Sequence, residues 1–505
     1  MQKMLDRQFW LALDVRYPAA VASLLLSALN IWSNPVVNTD AYTYIRAAEI
    51  FLQDGLAAAV SYYSWAFYPV LIALVHKLTG LELFAAAHVL NAGFFALLCT
   101  GFITLVKEID ASRRLAIIAA LVILLYPQIN EYRSSIIRDI AFITFSLFAL
   151  LHLLRYLRQA LRRHALGFIS FTLLAALFRP EALLYLISVP FSLLLIGDLS
   201  WSERWRRLLS LQAITVGLLL AAVTLFWFYG VNPLAQLLQG FSGYALFLEQ
   251  AVSTLRNGSP QLSDVLFSEH AGNYSAQYIN LFLATGLSTI LLVKIFTGFG
   301  WIMLAILAYG WWQRLCQVPR FLSAPALAYL LTAFLILLSF VFVTRYMTTR
   351  YTLLFCIVTT LLVPFILDRA WQRAELDKQL TRFRWIAATL LLYCFIDAYI
   401  SFGESKDYQQ EVARWLVANS EPDVVLLTNN HYLAYHTGLI DDYDRISRIV
   451  DPDDVPAAAS GTRIAYTLER GVLEMMQGYE QQGLVTLEQY FPNADEPQMG
   501  IYRRR

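Results

Sequence analysis

The chain has 505 residues, of which 58% are hydrophobic and only 15% charged, and its mean hydropathy is +0.53. Soluble domains run at about 45–50% apolar and about 25% charged, so a disordered chain, a fibre or a disulfide scaffold is excluded and a large soluble enzyme is disfavoured. Thirty-eight basic residues against 37 acidic ones leave a net charge of +1, which is no field for nucleic acid.

The start carries Lys3, Arg7 and Arg16 with Asp6 and Asp14, then an apolar run without a small-residue cleavage site. It reads as a retained first span. A spanning helix needs about 20 mainly apolar residues to cross a hydrocarbon layer about 30 Å thick. Eleven runs are candidates: 17–32, 83–106, 115–129, 140–154, 165–178, 182–196, 209–229, 283–312, 322–343, 351–367 and 385–402. Segment 66–78 is too short and reads as an interfacial or re-entrant helix. Lys294 splits the eighth run, so its first half is a second interfacial candidate. Cys99, Cys316, Cys356 and Cys394 lie in or beside apolar runs without metal spacing and read as small buried residues.

With the N-terminus cytoplasmic, the inward connections hold twenty Lys and Arg and the outward ones before residue 403 hold eight. The positive-inside rule therefore sends odd spans outward and leaves residues 403–505 outside. The outward connections at 33–80 and 230–280 are long, whereas the inward ones are short and basic. Beyond residue 402 charges become denser. Helical periodicity at 405–419, a short helix at 431–437 and a helix at 472–482 alternate with strands at 424–427, 463–468 and 484–490. The expected fold class is a mainly α integral membrane protein with about 11 transmembrane helices. Interfacial helices occupy the first outer loop, residues 1–402 form the membrane domain, and 403–505 form a small outer α/β domain.

An ionisable group at membrane depth is costly unless paired or wet, so such groups are functional candidates. They gather at the outer ends of spans. Asn38-Thr39-Asp40 follows the first span, where Asp40 also suits a helix N-cap. An aromatic set including Tyr63, Trp65 and Tyr68 follows, suited to an interfacial belt or to a platform for a sugar or polyprenyl chain. Glu131 and Arg138-Asp139 lie before the fourth span; Arg138-Asp139 reads as a helix-sealing pair or a phosphate contact. Arg179-Pro180-Glu181 forms a tight turn, and Arg345, Arg350 and Tyr351 crowd another. Snorkelling accounts for Lys294 about as well as a site does. A carboxylate accepts a proton from an incoming hydroxyl, and arginines stabilise charge on a departing phosphate. No P-loop, dinucleotide glycine pattern, HExxH or GxSxG is present.

These motifs, in this order and on one side, resemble the polytopic glycosyltransferases of the GT-C fold. The nearest resemblance is to bacterial members akin to protein O-mannosyltransferases and lipid A aminoarabinose transferases. It rests on Asp40 with Tyr44, Tyr68-Pro69, Arg138-Asp139, Arg179-Pro180-Glu181, Arg350-Tyr351 and a tail with Ala413-Arg414-Trp415-Leu416. The resemblance implies a polyprenyl-phosphate-linked sugar donor, a hydroxyl acceptor (protein, lipid A or glycan) and inverting transfer on the periplasmic face of the bacterial inner membrane. It implies Asp40 and Asp139 as the acidic catalytic residues. Arg138, Arg179, Arg345, Arg350 and Lys294 would contact the phosphate, and Tyr44, Glu131, Tyr63, Trp65, Tyr68, Glu181 and Tyr351 would line the substrate. Asp40 stands alone where several relatives carry a paired acidic motif, so a divalent metal is not indicated and the cofactor stays unknown. A polymerase or ligase of lipid-linked glycans and a transporter are the alternative readings.

Overall fold

A computed structural model describes residues 13–195, 199–228, 277–316, 320–400, 406–420, 425–440 and 452–505, with isolated positions between 229 and 276. Lys3, Arg7 and nearly all of the expected outer loop at 230–280 lie outside the described residues.

The membrane part comprises α1 (Arg16–Ser33), α2 (Thr39–Asp54), α3 (Leu56–Tyr62), α4 (Phe67–Thr79), α5 (Leu83–Ile109), α6 (Arg113–Leu124) and α7 (Pro127–Asn130). After a 3-10 turn at Glu131–Ser134 come α8 (Asp139–Gln159), α9 (Arg162–Phe178), α10 (Ala182–Ser188) and a second 3-10 segment at Val189–Leu195. Then follow α11 (Trp201–Phe228), α12 (Ile279–Trp312), α13 (Arg320–Thr344), α14 (Thr349–Thr360), α15 (Val363–Leu376) and α16 (Leu380–Tyr399).

Each of the eleven expected runs falls mainly on helix among the described residues. Among the described residues, however, six helices are long and apolar enough to cross a membrane, or seven if the pair Arg113–Leu124 and Pro127–Ser134, bent by 56°, is one span. The difference has a physical source. Helix α1 spends its 18 residues on Arg16, Asn30 and three serines, α9 has only 17 residues, and the sixth run is the broken pair α10 and Val189–Leu195. The expected short helix at 66–78 is α4.

The eighth run does not divide at Lys294. It bends at Gly300, whose φ of +69° is left-handed. A β-carbon there would stand 2.3 Å from the Gln128 side chain, and the neighbouring Gly298 carbonyl accepts the Tyr126 hydroxyl at 2.6 Å. Gly300→Ala therefore meets both backbone strain and a clash. The expected cost is about 1–3 kcal/mol, read as a lower thermal midpoint of the purified protein. An unchanged midpoint overturns this account of the kink.

The bundle has two chemically distinct ends. At one end Lys107 pairs with Asp14 at 2.8 Å, Arg155 with Glu108 at 2.9 Å and Arg114 with Asp368 at 2.5 Å. These are residues of the short basic connections. The opposite end carries the motifs after α1, before α8, after α9 and before α14.

The tail folds around one four-stranded sheet of order β1-β2-β4-β3, made of β1 (Leu426–Thr428), β2 (Arg463–Thr467), β3 (Val485–Phe491) and β4 (Met499–Arg504). The β1–β2 pair is parallel, with Leu427 opposite Ile464; β4 is antiparallel to β2 and β3. Helices α17 (Tyr408–Asn419) and α18 (His431–His436) cover one face through Val412, Leu416 and Leu433 over Ala465 and Ile501. Helix α19 (Arg470–Gln481) covers the other through Met476 over Ile464, Tyr466 and Tyr502. The two-residue alternation within β2 separates the two cores.

Candidate functional site

Four connections converge at the second end. Asp40 sits in the first turn of α2, one residue inside the helix rather than at its cap. A carboxylate there favours the helix dipole. The cap position is Asn38, whose side chain does not cap α2. Its amide instead donates to the Ile136 carbonyl at 3.2 Å and accepts from the Ile136 amide at 2.8 Å. From the other side, Asn91 of α5 donates to the Ser135 carbonyl at 2.9 Å and accepts from the Tyr68 hydroxyl at 2.8 Å. Two side-chain amides thus hold the strand-like Ser135–Ile136 backbone, which sets the start of α8 beside α2. Asn38→Ala removes both bonds to Ile136. The loss is expected to cost about 1–3 kcal/mol, read as a lower thermal midpoint of the purified protein; an unchanged midpoint overturns this role.

Arg138 and Asp139 enter the cluster from that start. Asp139 is 3% exposed and pairs with Arg179 at 2.9 Å. Arg179 also pairs with Glu181 at 2.9 Å across the Pro180 turn. Its guanidinium lies over Tyr351 at 4.4 Å and Phe142 at 5.8 Å. From the first turn of α14, Arg350 forms an ion pair with Asp40, and its guanidinium lies 5.2 Å from the Tyr351 ring. Arg138 rests over Tyr63 at 5.8 Å, forms no ion pair among the described residues, and keeps a buried Nη1 with no partner. Tyr44 packs edge-on against Tyr63 at 5.6 Å and Tyr68 at 5.1 Å. Burial pushes both the Tyr44 and Tyr63 phenols up, so they stay protonated donors.

The charges balance within the cluster: Arg138, Arg179 and Arg350 face Asp40, Asp139 and Glu181. Arg179 is spoken for twice, so the spare buried donors among the described residues are Arg138 Nη1 and Arg350 Nε. Beside this polar group runs an apolar cleft between α8, α10, α13 and α14. Phe142, Tyr185, Leu337, Phe340 and Leu354 line it, and Arg179, Glu181 and Tyr351 stand within it. Among the described residues, no three His, Cys, Asp or Glu side chains converge to hold a metal ion.

No family model matches the chain, and no curated protein sequence matches it. Solved structures do. Crystalline ArnT from Cupriavidus metallidurans bound to undecaprenyl phosphate shares 14% identity over 98% of each chain, with a TM-score of 0.52. The chain has the GT-C fold. The apo form of that ArnT matches over 92% of this chain and 93% of its own at 14% identity, with a TM-score of 0.46. The archaeal oligosaccharyltransferase AglB from Archaeoglobus fulgidus, in complex with an inhibitory peptide and a dolichol-phosphate, matches 86% of this chain and 60% of its own, at 15% identity and a TM-score of 0.45.

Within this fold most of the expected site residues meet. Asp40, Arg138, Asp139, Arg179, Glu181, Arg350, Tyr351, Tyr44 and Tyr63 form one contact network. Tyr68 is fully buried and supports Tyr44 from below. Lys294 comes close through its backbone, since its carbonyl accepts from Thr352 at 3.3 Å, and its half-buried amine pairs with nothing among the described residues. Trp65 is half-buried ahead of α4, and Glu131 is exposed on the 3-10 turn. Arg345 is exposed and ends α13 with a φ of +57°. Asn38, Asn91 and Phe142 were not singled out from sequence. A lone Asn within the apolar run of α5 is the one signal that pointed to Asn91.

Arg133, an outward arginine by the charge pattern, does not join the site. It is 1% exposed and donates to the Ser23 carbonyl at 2.8 Å, Ser27 Oγ at 2.6 Å and Asn130 Oδ1 at 2.7 Å, with its guanidinium 4.6 Å from the Phe95 ring.

Proposed function

We propose that this chain is a glycosyltransferase that moves a sugar from a polyprenyl-phosphate donor to a hydroxyl acceptor. The observation that carries the reading is the juxtaposition of three arginines and Asp40 with an apolar cleft. A lipid phosphate is an anion on an apolar chain, and here a guanidinium-rich head adjoins a slot lined by Phe, Tyr and Leu. The shared fold with an ArnT crystallised with undecaprenyl phosphate supports it.

In this mechanism the isoprenoid chain lies along the cleft, and its phosphate meets the free donor of Arg138 and the guanidinium of Arg350. Asp40, whose side chain is 38% exposed, faces the acceptor. It takes the proton as the hydroxyl oxygen attacks the anomeric carbon. The bond from that carbon to the phosphate oxygen breaks, the configuration inverts, and polyprenyl phosphate leaves with its charge held by the arginines. Asp139 and Glu181 hold Arg179 in place against Tyr351. Residues 403–505 and the site face the periplasm of a bacterial inner membrane, with a cytoplasmic N-terminus. The excess of basic residues on the opposite connections supports that orientation.

The test uses purified protein in lipid nanodiscs with a radiolabelled short-chain polyprenyl-phosphate hexose and an envelope extract as acceptor pool. Label passing to the extract with release of polyprenyl phosphate is the expected result. No release, with the donor probe bound or not, sinks the reading. A single added residue, rather than a ladder, separates it from a polymerase.

A further inference from the structure

The C-terminal domain reaches the Asp40 cluster through α18. Tyr42 of α2, 1% exposed, is the contact floor. Its ring stacks on His431 at 6.3 Å and 17°, meets His436 edge-on at 6.0 Å, and touches Tyr435 at 5.7 Å. Phe84 of α5 closes the seam by stacking on His436 at 5.9 Å. Two turns further along α2, Glu49 accepts the Tyr435 hydroxyl at 2.5 Å. Helix α18 is thus fixed to α2 at two points, and His431 is set against the turn that carries Asp40.

Two observations about His431 stand apart from that packing. Its Nδ1 is buried and has no hydrogen-bond partner among the described residues. A buried polar atom without a partner is costly, and such atoms are a minority in native structures. Next to it on the same helix, Tyr432 and His436 line a groove shared with Gln410 and Arg414 of α17. The groove is open, is lined also by Ala413, Val417 and Ala418, and shares its α18 wall with the helix that presents His431 to α2.

We infer that His431 is the acceptor-side residue of the site: its Nδ1 receives a hydroxyl of the acceptor, which enters along the α17–α18 groove, and turns the reacting oxygen toward Asp40. This rests on the transferase reading above. The acceptor is a polyhydroxylated molecule, because one hydroxyl is held while another reacts, and aromatic faces on Tyr432 and His436 suit a sugar ring. Burial lowers the proton affinity of His431, while the Asp40 charge raises it in part. The other charged and titratable groups around this helix are Arg350 through Asp40, then Tyr42, Arg46 and Glu49 of α2, Arg414 of α17, and Tyr432, Tyr435 and His436 of its own turn. A neutral ring accepts the hydroxyl, and a protonated one does not.

The experiment has two arms on the full-length protein. In the first, imidazole-labelled protein is titrated by NMR, with His431→Gln assigning the resonance. The His431 midpoint is expected below the usual value of about 6.5 and lower still in Asp40→Asn. A midpoint unmoved by Asp40→Asn overturns the pairing. In the second arm, His431→Ala is expected to raise the half-saturating amount of envelope extract about tenfold while KM for the polyprenyl-phosphate hexose stays put. His431→Gln is expected to remove the acid limb of kcat/KM for the extract. Equal changes toward donor and acceptor, or none, overturn the acceptor-side role. If the wild-type protein transfers nothing, the transferase reading fails, and the NMR midpoints still decide whether His431 faces Asp40.

Discussion

Asp40→Asn is expected to reduce transfer about 10²–10⁴-fold, the range for a lost general base, with membrane abundance unchanged. Abundance holds because Asp40 is partly exposed in the first turn of α2 and, among the described residues, its one ion pair is with Arg350 across the site. Asparagine keeps the shape and the hydrogen bond to that guanidinium but cannot hold the acceptor's proton. Asp40→Glu is expected to recover part of the loss, since the carboxylate returns about one methylene out of place. The measurement is label transfer per mole of protein, with membrane content quantified in parallel. Wild-type transfer by Asp40→Asn would remove this residue from the chemistry and leave Asp139 as the remaining acid of the pair.

The second large effect concerns Arg179. It lies buried between Asp139 and Glu181, and removing one partner of a buried ionic group leaves a charge without compensation. Arg179→Met is expected to cost about 3–5 kcal/mol of stability along with all transfer. A combined Asp139→Asn, Arg179→Met, Glu181→Gln variant takes the three charges away together. It is expected to recover most of the stability and none of the transfer. Thermal unfolding in detergent reads the first quantity and label transfer the second. If the combined variant is as unstable as Arg179→Met alone, charge compensation is not what holds this turn.

The parts legible in the sequence were those carried by local pattern. All eleven apolar runs are mainly helical among the described residues, the tail strands at 426–428, 463–467 and 485–491 fall where alternation and β-branched residues placed them, and four short motifs meet at one end. What failed was also physical. Strand β4 was missed because it ends in Arg503 and Arg504 and looks like a solvated terminus, yet it lies between β2 and β3 with Met499, Ile501 and Tyr502 buried. Asn38 and Asn91 act on backbone atoms 98 and 44 residues away. No spacing rule reports a bond from a side chain to a distant carbonyl. Charge counting listed Arg133 with the outward arginines but could not show that it is buried against Ser23 and Ser27. Asp139 was expected at the chemistry, and what no spacing could show is that it is 3% exposed and paired with Arg179.

Arg133 has a consequence for how the chain is made. Its oxygen partners on α1 lie 110 and 106 residues earlier. Until residue 133 leaves the ribosome, Ser23 and Ser27 have no such donor to meet. At about 5–20 residues per second that interval lasts roughly 5–20 s, during which α1 lacks the bonds that fix it to the later helices. The loop holding Ser135 and Ile136 arrives moments after, and only then does Asn38 find its backbone partner. The end that carries Asp40 is therefore assembled late and from both directions along the chain, and a nascent chain stalled before this loop carries Asp40 without its partners around it.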